Sequence, residues 1–262
     1  NNISVFQITP GSGALSPASG GGPFAAGLSP AALAIDPTGQ FLYVANADSN
    51  NISAFRIGAG TGALTPLAGS PYATCQTPVA IAMDPKGRAV YVSNLNSGTV
   101  STFVISPTTG VLTANGVVAI PSLLLVGSPI AAAGIAVDLS GQTLFVLDLM
   151  GSIRWDCSID QTTGVPSCRT GSGFGGFAPG YNTLSIQILV DPSNSFTYAV
   201  NYGSNTISPQ LRSGSGNSFS VGARRNPTSI AIASGSAAVT YEPRSGFQRL
   251  QLGMSFLLQP VR

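Results

Sequence analysis

Short apolar runs alternate with polar turns along the whole chain, and no segment sustains the 3.6-residue spacing of an amphipathic helix. From residue 78 the pattern shows in full. An apolar PVAIAMD is followed by the turn PKGR, the β-rich AVYVSN, the turn LNSG, the β-branched TVSTFVI, the turn SPTTG and a closing VLTANGVVAI. Pro85 presets φ in the first turn, and Asp84 is placed to accept its backbone N–H groups. The pattern predicts four short antiparallel strands, A to D in chain order.

The A–B part of this unit is a recurring brick. AIDPTGQFLYVAN (34–46) returns as AMDPKGRAVYVSN (82–94), AVDLSGQTLFVLD (136–148) and LVDPSNSFTYAVN (189–201). Asp36, Asp84, Asp138 and Asp191 recur at intervals of about 50 residues, the period of a repeat architecture. An aromatic follows seven positions after each acid (Tyr43, Tyr91, Phe145, Tyr198) and an amide or acid ten positions after it (Asn46, Asn94, Asp148, Asn201). A fifth copy, SIAIASGSAAVTYEP (229–243), has lost the acid. Such units describe β-propeller blades. A β-sandwich is the rival architecture, but it does not require near-identical hairpins at a fixed period.

The stretch DPTGQFLYVANADSNNISAFRIGAGTGALTPLAGSPY (36–72) resembles the repeat of the lactonase-type seven-bladed propellers. That family includes propeller-type 6-phosphogluconolactonases and a fungal muconate-cyclising enzyme, and it is similar to YVTN-type surface propellers. The likeness extends strongly to about Asn201 and weakly beyond it. It implies an all-β propeller of four-stranded antiparallel blades, with ligands on the face formed by the B–C turns and D–A loops. The chain opens on a C–D half blade over 1–30, since ISVFQITPGSGALSPAS matches ISAFRIGAGTGALTPLA. Blades follow over about 31–77, 78–129, 130–183, 184–225 and 226–262, the last drawing its C and D strands from FQRLQL and MSFLLQPV. Five blades and a half fall short of a seven-bladed ring, so the expectation is an incomplete ring, a piece of a larger parent, or one closed by a neighbour through its exposed blade edges.

Composition narrows the function. Charged residues are 8% of the chain and the net charge is +2, without a basic run, which argues against nucleic acid. Apolar stretches are interrupted by Pro and Gly before they reach the length of a membrane span. There is no histidine, which excludes Ser-His-Asp and Cys-His catalysis and leaves metal sites short of their commonest ligand. Neither a metal nor another cofactor is expected. The Gly-rich runs PASGGGP and GSGFGGFAPG lack the following helix of a phosphate-binding loop and read as D–A connections.

Of three cysteines, Cys157 and Cys168 fall opposite each other across a C–D hairpin when DCSIDQTTGVPSC is laid on VFQITPGSGALSP. A disulfide fits there, and two buried thiols are the other reading. Cys75 stays unpaired in a D–A loop. Low charge, abundant Gly, Ser and Thr, and the candidate disulfide favour an extracytoplasmic protein.

Candidate chemistry sits where the copies differ. Asp36, Asp84, Asp138, Asp148 and Asp191 belong to the brick and are read as structural. On the expected ligand face lie Asp48, Asn50, Tyr72, Cys75, Tyr181, Asn182, Tyr202, Asn205, Arg224, Arg225 and Glu242, of which Asp48, Tyr72, Tyr181, Tyr202 and Arg224 are the ligand candidates. Arg224 and Arg225 could hold a carboxylate or phosphate, and with Glu242 they are the candidates for catalysis. No residue can fill the histidine position expected of the muconate-cyclising relative. This reading favours a non-catalytic binding or assembly scaffold for a protein or carbohydrate partner, or for a second copy of the chain. The alternative is a lactonase acting on a sugar-acid or other small lactone.

Overall fold

A computed structural model describes residues 1–121, 131–148, 154–168, 185–211, 221–222, 230–232 and 238–240. They are all-β. A half blade comes first, formed by β1 (Asn2–Ile3), β2 (Phe6–Ile8), β3 (Leu15–Pro17) and β4 (Phe24–Ala25), in which β1 pairs β4 and β2 pairs β3. The first blade holds β5 (Pro30–Ile35), β6 (Phe41–Asn46), β7 (Asn51–Ile57) and a broken outer strand, β8 (Leu64–Pro66) and β9 (Tyr72–Ala73), both paired to β7.

The second blade is β10 (Pro78–Met83), β11 (Ala89–Asn94), β12 (Thr99–Ile105) and β13 (Leu112–Ala119). The third is β14 (Ala132–Val137), β15 (Thr143–Asp148), β16 (Arg154–Ile159) and β17 (Pro166–Cys168). The fourth is β18 (Ser185–Val190), β19 (Phe196–Asn201), β20 (Thr206–Leu211) and β21 (Val221–Gly222). The hairpin β22 (Ile230–Ile232) and β23 (Ala238–Thr240) follows. Each four-stranded sheet is an antiparallel meander in chain order. Strands β5, β10, β14 and β18 neighbour one another in turn, and β22 continues the row beside β18, so the first strand of each blade is the innermost. The segments expected to close the last blade, FQRLQL and MSFLLQPV, lie outside the described residues.

The brick works as a turn and a pin. Asp36 accepts from the backbone N–H of Gln40 at 2.7 Å, Phe41 at 2.6 Å and Thr38 at 3.0 Å, so one carboxylate organises the A–B turn. Asp138 takes Gln142 and Thr143 in the same way, and Asp191 takes Ser195 and Phe196. The amide ten residues on ties the B strand to the C strand. Asn46 donates to Asn51 at 2.8 Å and Ser53 at 2.9 Å, and Asn201 donates to Thr206 at 3.0 Å and Ser208 at 2.8 Å.

The core lies between blades. One cluster joins Phe41, Tyr43, Ala45, Ile52 and Ala54 of the first blade to Val90, Val92, Phe103, Ile105 and Leu112 of the second. Another joins Tyr91 and Val100 of the second blade to Leu144, Val146, Trp155 and Cys157 of the third. Alternate residues of each strand thus face opposite neighbours, which is why both faces are apolar and the strands read as continuous hydrophobic runs.

Candidate functional site

The B–C turns and D–A connections come together at one end of each blade. Ala47 N–H donates to Ser29 O and Leu95 N–H to Thr77 O, both at 2.8 Å, which ties each B–C turn to the connection entering its own innermost strand. Side chains reinforce this. Leu28 N–H donates to Ser49 Oγ at 2.7 Å and Asn96 Nδ2 to Thr77 Oγ1 at 2.8 Å, while Thr77 N–H donates to Asn50 Oδ1 of the preceding blade's B–C turn at 2.7 Å. Ser29, Asn50, Thr77 and Asn205 hold left-handed φ values of 52°, 53°, 58° and 55°. For Ser and Thr that conformation costs on the order of 1–2 kcal/mol, offset here by the hydrogen bonds that hold the rim.

The structure distributes the expected site residues along this end rather than gathering them. Asp48 is exposed on the first B–C turn and accepts the Ser29 hydroxyl. Tyr202 is half-buried in the turn after β19. Tyr72, read from sequence as a loop residue, instead lies in β9 at the outer edge of its blade, opposite Ile52. Its hydroxyl donates to the Ala68 carbonyl at 2.6 Å, because the outer strand breaks after Pro66 and rejoins the same ladder. No hydrogen bond or ion pair among the described residues links Asp48, Tyr72 and Tyr202. Tyr181, Asn182, Arg224, Arg225 and Glu242 lie outside the described residues.

Cys157 and Cys168 form a disulfide, at the register position Phe6 and Pro17 occupy in the half blade. Cys75 is a free thiol. It borders a crevice of about 210 Å³ between the first two blades, lined also by Ala73, Thr74, Ser101, Phe103 and Val117. The lining carries no charge.

One buried ion pair is absent from the sequence-derived candidates. Arg154 is buried and makes a two-pronged contact with Asp156, Nε to Oδ1 at 2.6 Å and Nη2 to Oδ2 at 2.7 Å. Its Nη1 reaches Thr197 Oγ1 of the fourth blade at 2.6 Å, and the guanidinium lies over the Phe145 ring at 4.7 Å. The ladders place Arg154 and Asp156 at the positions of Ile52 and Ala54 in the first blade. The signal was therefore available: a charged pair standing where the other copies carry no charge, as Ile52 and Ala54, Val100 and Thr102, and Ile207 and Pro209.

The remaining described acids are committed to structure. Asp84 pairs with Arg88 at 2.7 Å. Asp160 accepts the backbone N–H groups of Thr163 and Thr162, which hold its carboxyl below the usual range. No cluster of three or more His, Cys, Asp or Glu able to hold a metal occurs among the described residues.

Residues 1–79 and 30–126 match the family described as lactonase, 7-bladed beta-propeller. No curated protein matches the chain. Among solved structures, the chain is similar to proteins named as 6-phosphogluconolactonases from Bacteroides uniformis and Bacteroides fragilis. Each gives a TM-score of 0.71 over 87% of this chain, with 18% and 19% identity. The periplasmic gluconolactonase of Pseudomonas aeruginosa gives 0.69 over 86% of the chain, with 15% identity. The chain spans 66% of the length of the first two and 65% of the third.

Proposed function

We propose that this chain, a lactonase-type β-propeller by its matched repeats, hydrolyses a small lactone of the sugar-acid class. The observation that carries the reading is the match of the first two repeats to the lactonase family, joined by propeller neighbours named for 6-phosphogluconolactone and gluconolactone chemistry. Lactone hydrolysis needs a polarised ester carbonyl and a delivered water, and neither requires histidine. In this reading Arg224 and Arg225 hold the anionic end of the substrate and Glu242 takes the proton of the attacking water. Asp48 and Tyr202 supply hydrogen bonds along the rim. Asp148 is buried at the end of β15, and the other described acids are engaged in turns, rim contacts and ion pairs, which favours the C-terminal repeat as the source of the base. We also assign the protein to an extracytoplasmic compartment, supported by the Cys157–Cys168 disulfide and the periplasmic gluconolactonase neighbour.

The test is acid release from 6-phosphogluconolactone and glucono-δ-lactone, above the spontaneous rate, with Arg224→Ala and Glu242→Gln alongside. Turnover reduced by about a hundredfold or more in either variant supports the reading. Rates equal to the uncatalysed background for every lactone overturn it. The specific observation favouring a second reading, a binding or assembly scaffold, is this same engagement of the described acids. A carbohydrate or protein bound through the Asp48–Tyr202 rim, with no turnover, would establish it.

A further inference from the structure

The crevice between the first and second blades has a filled twin between the second and third. Thr74 and Ile120 hold one position, since the Thr74 N–H donates to Asn50 O at 2.9 Å and the Ile120 N–H to Gly98 O at 3.0 Å, at matching points of their B–C turns. Ser101 and Trp155 hold another. Each lies in the third strand of its blade, opposite the valine eight positions after the brick acid, Val92 and Val146. Phe103 and Ala114 face each other across the C–D ladder as Cys157 and Cys168 do.

Between the second and third blades these positions are packed. Ile120, Trp155, Cys157 and Cys168 join one apolar cluster with Tyr91 and Val100, and Trp155 is 4% exposed. Its indole reaches back from the third blade and takes up the space between the sheets. Between the first and second blades the same position carries Ser101. A hydroxymethyl stands where the twin has an indole, and the space left is the crevice of about 210 Å³. The outer strand widens it. Ser101 opposes Val117 and Phe103 opposes Ala114, so Asn115 and Gly116 bulge opposite Thr102. Gly116 has a φ of 114° and nothing within 4 Å of a Cβ built on it.

Size and lining select the occupant. A cavity of about 150 Å³ holds benzene, and sites for drug-sized ligands begin at about 300 Å³. The crevice falls between them and suits one small bicyclic ring. Phe103 supplies an aromatic wall for stacking. No lining residue is charged, so an ionised ligand would lose hydration without compensation. Ser101 is buried, and its Oγ accepts from Asn94 Nδ2 at 3.0 Å, while its hydroxyl hydrogen has no acceptor among the described residues. That leaves one donor for a ring nitrogen or oxygen.

We propose that this crevice binds a single uncharged, planar, bicyclic aromatic molecule that carries a hydrogen-bond acceptor. The ring is seated as the Trp155 indole is seated one blade on, with its acceptor on the Ser101 hydroxyl and its edge against the Cys75 thiol. None of these residues belongs to the site proposed for lactone hydrolysis, so the two readings stand or fall separately.

Quinoline is the probe, because it is bicyclic, uncharged in mildly alkaline buffer and has a ring nitrogen that accepts. Cys75 is the reporter, since the chain has three cysteines and the other two are bridged. At about ten times its dissociation constant, quinoline is expected to slow alkylation of Cys75 by N-ethylmaleimide about tenfold. It also shifts the amide resonances of Thr74, Ser101, Phe103 and Val117 and leaves those of Trp155 and Cys157, in the filled twin, in place. Quinoline-2-carboxylate binds at least about tenfold more weakly. Ser101→Trp fills the crevice from within, so it abolishes the quinoline effect and slows alkylation of Cys75 by itself. Ser101→Ala keeps the space and removes the donor, and it weakens quinoline binding about three- to tenfold. Alkylation unaffected by quinoline, with no saturable shift at the crevice amides, overturns the proposal. Shifts of equal size at the filled twin, which mark general adsorption, do so as well. Binding as tight in a folded Ser101→Trp variant as in the parent, or as tight for the carboxylate as for quinoline, also overturns it.

Discussion

The Tyr43 hydroxyl donates to the Gly110 carbonyl oxygen of the neighbouring blade at 2.7 Å, and Tyr91 repeats the contact to Gly164 at 3.0 Å. Each pin ties a second strand to the C–D turn of the following blade, so the propeller is held by spaced polar contacts as well as by its apolar interfaces. Tyr43→Phe removes the donor and leaves the carbonyl facing a ring. The expected loss is about 1–2 kcal/mol of unfolding free energy, read as a lower urea midpoint with unchanged slope.

The same pins make stability fall in alkali. Burial, with Asp84 adding, pushes the Tyr91 phenol from 10.0 up to about 12, and burial, with Asp36 and Tyr72 adding, raises Tyr43 further. The neutral phenol is the folded form, so this stability is complete below pH 10 and is lost as pH rises through about 12. For Tyr91 the loss is on the order of 2 kcal/mol. Urea midpoints from pH 8 to 12 should fall in the wild type and fall less steeply in Tyr91→Phe, where Tyr43 alone retains the dependence.

Equivalent glycines should respond differently to alanine. Gly110 and Gly13 have φ values of 73° and 68°, so both substitutions carry the left-handed cost, about 1–2 kcal/mol. At Gly110 the new Cβ also meets the Phe41 ring at 2.3 Å, while at Gly13 it meets nothing. Gly110→Ala is expected to cost about 1–3 kcal/mol more than Gly13→Ala. Chemical denaturation of the two variants side by side measures the difference.

The fold was legible because the brick repeats its physics as well as its letters. Asp36, Tyr43 and Asn46 each perform a task that any copy needs: shaping a turn, pinning the next blade, fastening the third strand. Laying one copy on another also placed Cys157 opposite Cys168, since the register of a hairpin fixes which residues face each other. What crosses from blade to blade was not legible. Register says that Arg154 stands on an apolar face, but the Thr197 hydroxyl that receives it lies on another sheet. Tyr72 stands at the expected end of its blade, but the short strand that holds it was not legible, because a broken outer strand reads as a loop when its partner is not in view. The ligand face resisted reading for a related reason. Its residues differ between copies, so no repeat says what each one does.

The disulfide stands where the first blade has the Phe55–Pro66 pair. Its loop spans a separation of 11 residues, and closing a loop of that size in the unfolded chain contributes about 2–3 kcal/mol. Reduction, or a Cys157→Ser/Cys168→Ser double variant, is expected to lower the melting temperature by several degrees. Cys75→Ser should leave the effect of reductant unchanged, since that thiol takes no part in the bridge. Thermal unfolding with and without dithiothreitol separates the cases.

Arg154 replaces a phenol pin with an ionic one. In the third blade the aromatic of the brick is Phe145, which has no hydroxyl, and Arg154 stacks on that ring while reaching Thr197 of the following blade. Asp156 neutralises the guanidinium through two short hydrogen bonds. Removing one partner leaves the other charged and poorly solvated, so Arg154→Ala is expected to cost about 3–5 kcal/mol. Replacing both partners follows a different rule. Arg154→Ile with Asp156→Ala restores the residues the first blade carries at Ile52 and Ala54, and it removes both desolvation penalties together. That double variant should lie within about 1 kcal/mol of the parent or exceed it. Unfolding free energies of the two single variants and the double variant form a closed cycle, and the expected coupling between the sites is strongly favourable. A double variant as unstable as Arg154→Ala would mean that the contact to Thr197, rather than charge pairing with Asp156, holds this interface.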